Sequence, residues 1–469
     1  MKKILLLGCI LAIQSIYAQI ISKDPSFASN GIYNIGNGNN YVWTMAQNVD
    51  DSIYSSYSVP ASGQTFLLKL NANGTSDPNF GNNGVIQLPY DTYQCQLKIQ
   101  PDGKLIVFGH NPSLGGLVYK IFPNGQLDTA FGTNGISTIS SVHSSDEQAR
   151  SIGLILQNGK IIVHGITWNS NTISQHKIYR LNNDGSIDMS FGNNGSVITQ
   201  GAYPLGTFVL LDNQSNIICM TKTISSNLGN GVIEKFNPDG QPIMSFGNNG
   251  ILQTTMNFGY VGAAMIDSNN KIVYSNHTYE IFRVNPDGTP DNTFNYNLSA
   301  FSGLSGGAWI QSIVEKNGYY YIGGNGEGDF ASTYFVSKLN PNGSINSSFG
   351  YYSEASNLYS IEEMAVNNDN IIAHGSGYIV KYLLNNSTLS IADILKANDQ
   401  ISFENPVKQS LIYQSEEKIS KIEIYSSNGK LVKTAKENNS NVSELPKGVY
   451  MIKVFFENGK FTTKKMIKI

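Results

Sequence analysis

The chain has 469 residues, of which 14% are charged, 11% are aromatic and 46 are glycine, with a formal net charge of −3. That length exceeds one ordinary core and fits either two or three domains or a large repeat array with an appendage. Few charges with many aromatics and glycines suit short strands joined by tight turns, and they exclude a fold built mainly on amphipathic helices.

The charge is unevenly placed. Residues 19–400 carry 17 Lys and Arg against 27 Asp and Glu, net −10, whereas 401–469 carry 12 Lys against 7 Glu, net +5. An acidic body argues against nucleic acid as a partner, because phosphate contacts need clustered Lys and Arg.

The N-terminus, MKKILLLGCILAIQSIYAQ, has Lys2 and Lys3, an apolar run from Ile4 to Ile13, and Ala18 before Gln19. This pattern predicts a secretory signal peptide over 1–18, cleaved between Ala18 and Gln19. A lipoprotein signal ending at Cys9 is the competing reading, but it leaves only Ile4 to Leu7 as an apolar core. No later apolar run approaches the roughly 20 residues of a transmembrane helix.

From residue 24 onward the chain repeats itself. NNDGSIDMSFGNNG at 182–195 has near-copies at 71–84 and 237–250. Aligned on phenylalanine, the repeat falls at Phe27, Phe80, Phe131, Phe191, Phe246, Phe294 and Phe349, a period of about 50 residues that signals propeller blades. Two further marks keep step: an apolar run such as GKLIVFG from Gly103 or GKIIVHG from Gly159, and a strand ending in a basic residue, such as HKIYRLN.

In the unit Gly135 to Phe191, ISTI, ARSIGLIL, KIIVHGIT and HKIYRLN predict four strands, with QNG and NDG as hairpin turns. The apolar runs do not alternate with polar residues. A blade covered on both faces by its neighbours requires that. The repeated glycine-rich stretch then reads as punctuation, with the phenylalanine as an anchor between blades and GNNG as a second sharp turn. The expectation is an all-β chain with a seven-bladed β-propeller over 19–384.

The first unit begins at Asp24 with no strand before it, and the last ends near Lys381 with no Phe-Gly after it. The N-terminal segment is therefore expected to complete the last blade and close the ring. Cys95 and Cys219 sit in apolar strands of different units and are expected to be buried free thiols rather than a disulfide.

On these residues, LNNDGSIDMSFGNNG above all, the chain resembles the delta-60 repeat family of β-propeller-like proteins. The resemblance covers roughly residues 24–384. It loosens at Phe294, where no glycine follows, and at Phe349, where the closing Asn-Gly is missing.

Residues 385–400 predict a linker, and 401–469 a small basic β-sandwich with SNG and ENG hairpins. NPV from Asn405 and Pro406, IEIYSSNGKLV with Gly429, LPKGVYMIKV with Gly448 and Tyr450, and KKMIKI with Lys464 and Lys465 resemble the type A C-terminal sorting domain of the type IX secretion system. That resemblance implies a Gram-negative cell and export to the medium or the outer-membrane surface. It implies the secretion machinery as a partner. FENP stands where the family pattern has PNP preceded by a tyrosine-like residue.

Motifs for chemistry are sparse. The stretch Asn285 to Asp291 spaces oxygens like a calcium loop but lacks the further ligands and the bidentate Glu, so turns and no cofactor are expected, with calcium the alternative. His110, His164 and His374 end the third-strand runs of three units and could face a common axis as metal ligands or be packed rings. His143, Asp146, Glu147 and Arg150 form a charged loop suited to a partner or to solvent. No obvious carboxylate pair for a glycosidase stands out, Glu315, Glu362 and Glu363 being the least poor candidates, and no nucleophile elbow, Walker loop or H-E-x-x-H is present. The expectation is a secreted or surface repeat protein that binds an extracellular protein or glycan. A hydrolase or lyase acting on polysaccharide and an inert surface-layer component are the alternatives.

Overall fold

The protein is described by a computed structural model over residues 21–469, except 37–39, 61, 143–152, 170–171, 202, 223–229, 258–260, 277–279, 298–307, 327–332, 350, 356–359, 385–400, 416, 427–429 and 458–460. The signal segment with Ala18 and Gln19, the loop from His143 to Arg150, the linker and Gly429 therefore lie outside the described residues. Every described element is a β-strand, and the chain divides into two compact units, 1–385 and 386–469.

The first unit opens with two short strands, β1 (Ile21–Lys23) and β2 (Ile32–Asn34). Antiparallel sheets then follow one another along the chain. The first holds β3 (Tyr41–Gln47), β4 (Ile53–Ser58), β5 (Thr65–Leu70) and β6 (Val85–Gln87). The second holds β7 (Tyr93–Ile99), β8 (Leu105–Asn111), β9 (Gly115–Ile121) and β10 (Ile136–Ile139). The third holds β11 (Gly153–Gln157), β12 (Lys160–Asn169), β13 (Thr172–Leu181) and β14 (Ser196–Ile198).

The fourth sheet is β15 (Tyr203–Leu211), β16 (Ile217–Lys222), β17 (Asn230–Phe236) and β18 (Ile251–Asn257). The fifth has three described strands, β19 (Ala264–Ile266), β20 (Ile272–Ser275) and β21 (Ile281–Val284). The sixth is β22 (Ala308–Lys316), β23 (Tyr319–Gly326), β24 (Thr333–Leu339) and β25 (Tyr351–Ala355). The last is β26 (Glu363–Val366), β27 (Asn370–Gly375) and β28 (Tyr378–Leu384). Among the described residues this unit therefore has seven sheets.

The ring closes through the two ends of the unit. β1 pairs with β28 from Ile21 opposite Leu384 to Lys23 opposite Tyr382, and β2 continues along the same strand from Ile32 opposite Val380. The N-terminal segment thus supplies the outer strand of the last blade, while β26 and β27 touch β3 of the first. The other first strands, β7, β11, β15, β19 and β22, likewise touch their neighbours in order. A closed circle of sheets leaves only short, protected edges at the axis and the rim.

The sequence unit and the blade are offset by one strand. ISTI, expected to open its unit, is β10, the outer strand of the preceding sheet, where it pairs with β9. The apolar runs expected as third strands are second strands, β8 and β12 among them. The glycine-rich stretch lies between the third and fourth strands of one blade, so a unit counted from it straddles two sheets.

Seven apolar clusters fill the spaces between successive sheets. Phe27, Phe80, Phe131, Phe191 and Phe246 are buried in five of them, each joined by side chains of two blades, whereas Phe294 and Phe349 are half-buried. Cys95 and Cys219 are buried free thiols in two of these clusters, and burial raises both pKa values.

Among the described residues, the repeated stretch docks one blade on the next at six of the seven contacts. In the unit of Phe131, Gly132 N–H donates to the carbonyl of Asp184, in the turn of the following unit, at 2.7 Å. The same bond recurs as Ala28 to Asn73, Gly81 to Asn124, Gly192 to Asp239, Gly247 to Asp287 and Asn295 to Asn342, all between 2.6 and 2.9 Å. Gly185, next to Asp184, has φ +86° and lies against Phe131, so that a Cβ there would fall 2.9 Å from Gly132 N and 3.0 Å from the ring. The glycine serves both a left-handed turn and a close approach.

The basic residue of the third strand completes the joint. Arg180 binds Asp188 of its own unit at 2.8 Å and donates to the Pro238 carbonyl of the next turn at 2.6 Å, with its guanidinium 4.8 Å from the Phe191 ring centre. Arg283 repeats this with Asp291, Pro341 and Phe294. Lys381, in the last blade, reaches Asp24 and the Ala72 carbonyl across the ring closure.

The second unit has a four-stranded sheet of β32 (Ile419–Ser426), β33 (Leu431–Ala435), β35 (Gly448–Phe456) and β36 (Phe461–Lys468) in the order β33-β32-β35-β36. Two short pairs complete it, β29 (Ile401–Phe403) with β31 (Tyr413–Ser415) and β30 (Ser410–Leu411) with β34 (Ser440–Asn441). One core of Ile401, Val407, Leu411, Ile422, Ile424, Ile452, Val454 and Met466 lies between these layers, as in a sandwich.

Gly159 offers a comparison for the docking turn: φ there is +79° with nothing within 4 Å of an added Cβ. Gly159→Ala should cost about 1 kcal/mol, the backbone penalty alone, and Gly185→Ala about 3 kcal/mol because the Phe131 contact must also give way. Urea midpoints of the two variants check this; equal losses would refute the docking.

Candidate functional site

Antiparallel sheets place alternate connections at opposite ends of the ring. One end collects the turns between first and second strands and between third and fourth strands. These are the repeated turns, such as 158–159 and 182–195, whose Asn side chains and backbone make bonds that join blades. The described second-to-third turns, such as 112–114, and the described link 88–92 between the first two blades lie at the other end, and their sequences do not repeat.

At that second end the first two blades present aromatic side chains. Tyr41, the first residue of β3, is 47% exposed and stacks on Trp43 with ring centres 6.0 Å apart. Tyr90, in the link between β6 and β7, is 44% exposed. That link is held by a buried network: Thr65 Oγ1 donates to Thr92 O at 2.7 Å, Thr92 N–H returns to Thr65 Oγ1 at 2.9 Å, and Thr92 Oγ1 meets the Tyr119 hydroxyl at 2.8 Å. Asn111 Nδ2 donates to Asp91 O at 2.8 Å from the second blade.

Tyr41 stands opposite Ser58, and Ser58 opposite Thr65, on the face of the sheet turned to the second blade. Tyr41 and Thr65, which bonds the Tyr90 link through Thr92, are thus about two strand spacings apart, roughly 10 Å. Rigid aromatic rings beside backbone carbonyls and a carboxylate can stack on a sugar ring or anchor a peptide.

The histidines do not converge. His110, His164 and His374 lie on second strands of three different sheets, one strand away from the axis, because the apolar run that carries them is the second strand. His164 Nε2 and His176 Nδ1 are 3.1 Å apart in a buried, stacked pair, and burial together with His176 lowers the His164 pKa. His374 Nε2 is 3.3 Å from Glu363. Among the described residues no three His, Cys, Asp or Glu side chains form a metal-holding group.

Glu362 and Glu363 are neighbours in the chain, and each of the three carboxylates accepts hydrogen bonds from partners of its own. Glu363 accepts from Thr44 Oγ1 at 2.9 Å and Met45 N–H at 3.1 Å, which ties the last blade to the first. Glu362 accepts from Ser376 Oγ at 3.3 Å. Glu315 lies at the opposite end of its strand, where it accepts from Ser268 Oγ at 2.6 Å. In the Asn285 to Asp291 stretch, Asp287 Oδ1 accepts the N–H and hydroxyl of Thr289, and Asp291 pairs with Arg283 and Lys271. Hydrogen bonds and cations hold both Asp pKa values low.

Sequence reasoning missed Glu234. It lies buried on β17, opposite Cys219, and accepts a hydrogen bond from Gln200 N–H at 2.9 Å. Burial pushes its carboxyl up to about 7. The signal was present: the residue before the basic position is Leu68, Tyr119, Tyr179, Phe282, Ser337 or Val380 in the other units, and an acid only here.

In the second unit the motif residues act within the domain. Asn405 Nδ2 donates to Lys465 O at 3.0 Å and its Oδ1 accepts Ile467 N–H at 2.8 Å, while Val407 N–H donates to Ile467 O at 2.7 Å. Pro406 sits between them. The Tyr450 hydroxyl donates to Pro446 O at 2.8 Å, Gly448 opens β35, and Lys464 Nζ donates to Ile401 O.

Two families match the chain. Residues 403–469 match the secretion system C-terminal sorting domain, and residues 100–131 and 156–191 match a β-propeller domain of unknown function. No curated protein matches the sequence. Among solved structures, the extracellular domain of a candidate hybrid two component system from B. thetaiotaomicron is 10% identical at TM-score 0.43, covering 96% of this chain, which spans 59% of that one. YCF48 bound to D1 peptide is 11% identical at TM-score 0.45, covering 75% and 96%. PorZ, a surface component of the type IX secretion system of Porphyromonas gingivalis, is 11% identical at TM-score 0.22, covering 94% and 82%.

Because the folded protein holds the Glu234 proton more tightly than the unfolded chain does, stability falls as pH rises from about 4.5 to about 7 and stays lower above. Glu234→Gln should abolish that slope and gain about 3 kcal/mol at pH 8. Urea unfolding across pH 4 to 8, as a rough working range, checks it; parallel profiles for the two proteins would contradict it.

Proposed function

For this delta-60-type repeat β-propeller with a type IX secretion sorting domain, a secreted or cell-surface protein, we propose a role in binding outside the cell. The occupant is an extracellular protein or glycan held at the end of the ring that carries the non-repeating connections. One observation carries this: the repeated turns of one end are spent on joining blades, whereas the other end presents Tyr41 and Tyr90 to solvent. Binding residues sit on connections that a rigid scaffold holds, and a closed ring is such a scaffold.

Export begins with signal cleavage after Ala18 and ends with the sorting domain engaging the secretion machinery. The motif residues Asn405, Pro406, Gly448, Tyr450, Lys464 and Lys465 serve that step by giving the domain its shape, and Gly429 belongs to the same motif. Release into the medium and attachment to the cell surface both agree with this role.

The test is a glycan array and a panel of surface proteins probed with the exported protein, alongside a polysaccharide degradation assay. Retention of a ligand, weakened roughly tenfold in Tyr41→Ala, is the expected outcome, the size of one lost aromatic anchor. Product formed from a polysaccharide would replace binding with catalysis.

A further inference from the structure

The sorting-domain residues that match the family turn mostly inward or grip β36, so they leave open what a partner touches. The opposite face of the four-stranded sheet has a different composition. Across it, Tyr425 stands opposite Leu431 and Met451, Met451 opposite Lys465, and Val449 opposite Ile467. Leu431 is 46%, Val449 47% and Met451 43% exposed. Alternation puts these residues on the side away from Ile422, Ile424, Ile452, Val454 and Met466, which fill the core.

Lysines frame this apolar strip. Lys421 and Lys453 lie 4.5 and 5.1 Å from the Phe455 ring centre, and Lys465 stands beside Met451. The one acid in these rows is Glu423, which pairs with Lys421 at 2.7 Å and accepts the Tyr425 hydroxyl at 2.6 Å. Lys421, Lys453 and Lys465 against Glu423 leave the face positive, as the whole domain is.

We propose that this outer face, built on Leu431, Val449, Met451 and Tyr425 with Lys453 and Lys465, is the surface by which the tail docks on a protein of the export apparatus. The partner fits by presenting an apolar recess rimmed by carboxylates, since opposite charge steers the encounter and apolar contact holds it. An anionic lipid surface is the competing occupant. Glu423 disfavours it, because its carboxylate stands among the lysines and repels anionic headgroups. The inference rests on the sorting-domain assignment and is independent of what the propeller binds.

The experiment compares full-length wild type, Met451→Glu, a Lys453→Glu with Lys465→Glu double variant, and Ile412→Glu, whose side chain is 56% exposed off this sheet. The fraction reaching the medium and cell surface is measured against the periplasmic fraction. Export should fall roughly tenfold for the first two variants, the effect of losing one interface anchor, and stay unchanged for Ile412→Glu. Thermal unfolding of each variant identifies any fold defect, and the lysine variant, which touches no core side chain, keeps the test decisive if Met451→Glu is destabilised. Normal export of a folded lysine variant, or of a folded Met451→Glu, overturns the proposal. So does binding of wild-type protein to phosphatidylglycerol vesicles that Met451→Glu abolishes, which assigns the face to lipid.

Discussion

The propeller depends on one repeated joint, the docking of a phenylalanine and the residue after it onto the left-handed glycine turn of the next blade. Each blade alone is a small twisted sheet with two apolar faces and could not stay folded in water. Its stability comes from burying both faces against neighbours, and the joint sets the distance and register at which that happens. The phenylalanine fills the space between sheets, the backbone bond from Gly132 to Asp184 and its counterparts fix the outer rim, and cations such as Arg180 cover the ring while bonding the next turn. Buried carbonyls and N–H groups that would otherwise be orphaned are satisfied in the same step.

A ring made of such joints has no natural end, and the chain resolves this by dividing one blade between its termini. Asp24 and Lys381 repeat across the closure the pairing that Asp188 and Arg180 make within a unit. Ala28 bonds Asn73 as Gly132 bonds Asp184. The closing joint is therefore chemically the same as the others. It also explains the division of labour between the two ends of the ring: the docking turns must repeat, and the connections at the other end are free to differ.

Much of this was legible in the residues. The period, the three marks in step and the two incomplete ends give a closed circle of sheets, because spacing and apolar runs report directly on strands covered on both sides. The offset between unit and blade was not legible, since the eye counts from the glycine-rich stretch and the sheet is counted from the axis. The histidines were misplaced for the same reason. Arg180 and its counterparts were visible as a pattern without a role, because their partners lie in the next unit's backbone, which carries no side-chain signature. Glu234 stood out only against the other copies, and Tyr41 and Tyr90 belong to none of the three repeated marks. A binding surface made of non-repeating connections leaves no periodic trace.

The joint can be observed directly by amide hydrogen exchange at Gly81, Gly132, Gly192 and Gly247, whose N–H groups each donate to the following blade's turn. All four sit in turns at the rim, where an undocked amide exchanges quickly. The structure predicts that they exchange as slowly as core strand amides such as Ile162, opening only with the whole ring. Exchange at the rate of an exposed turn would show that the blades are not joined in this way.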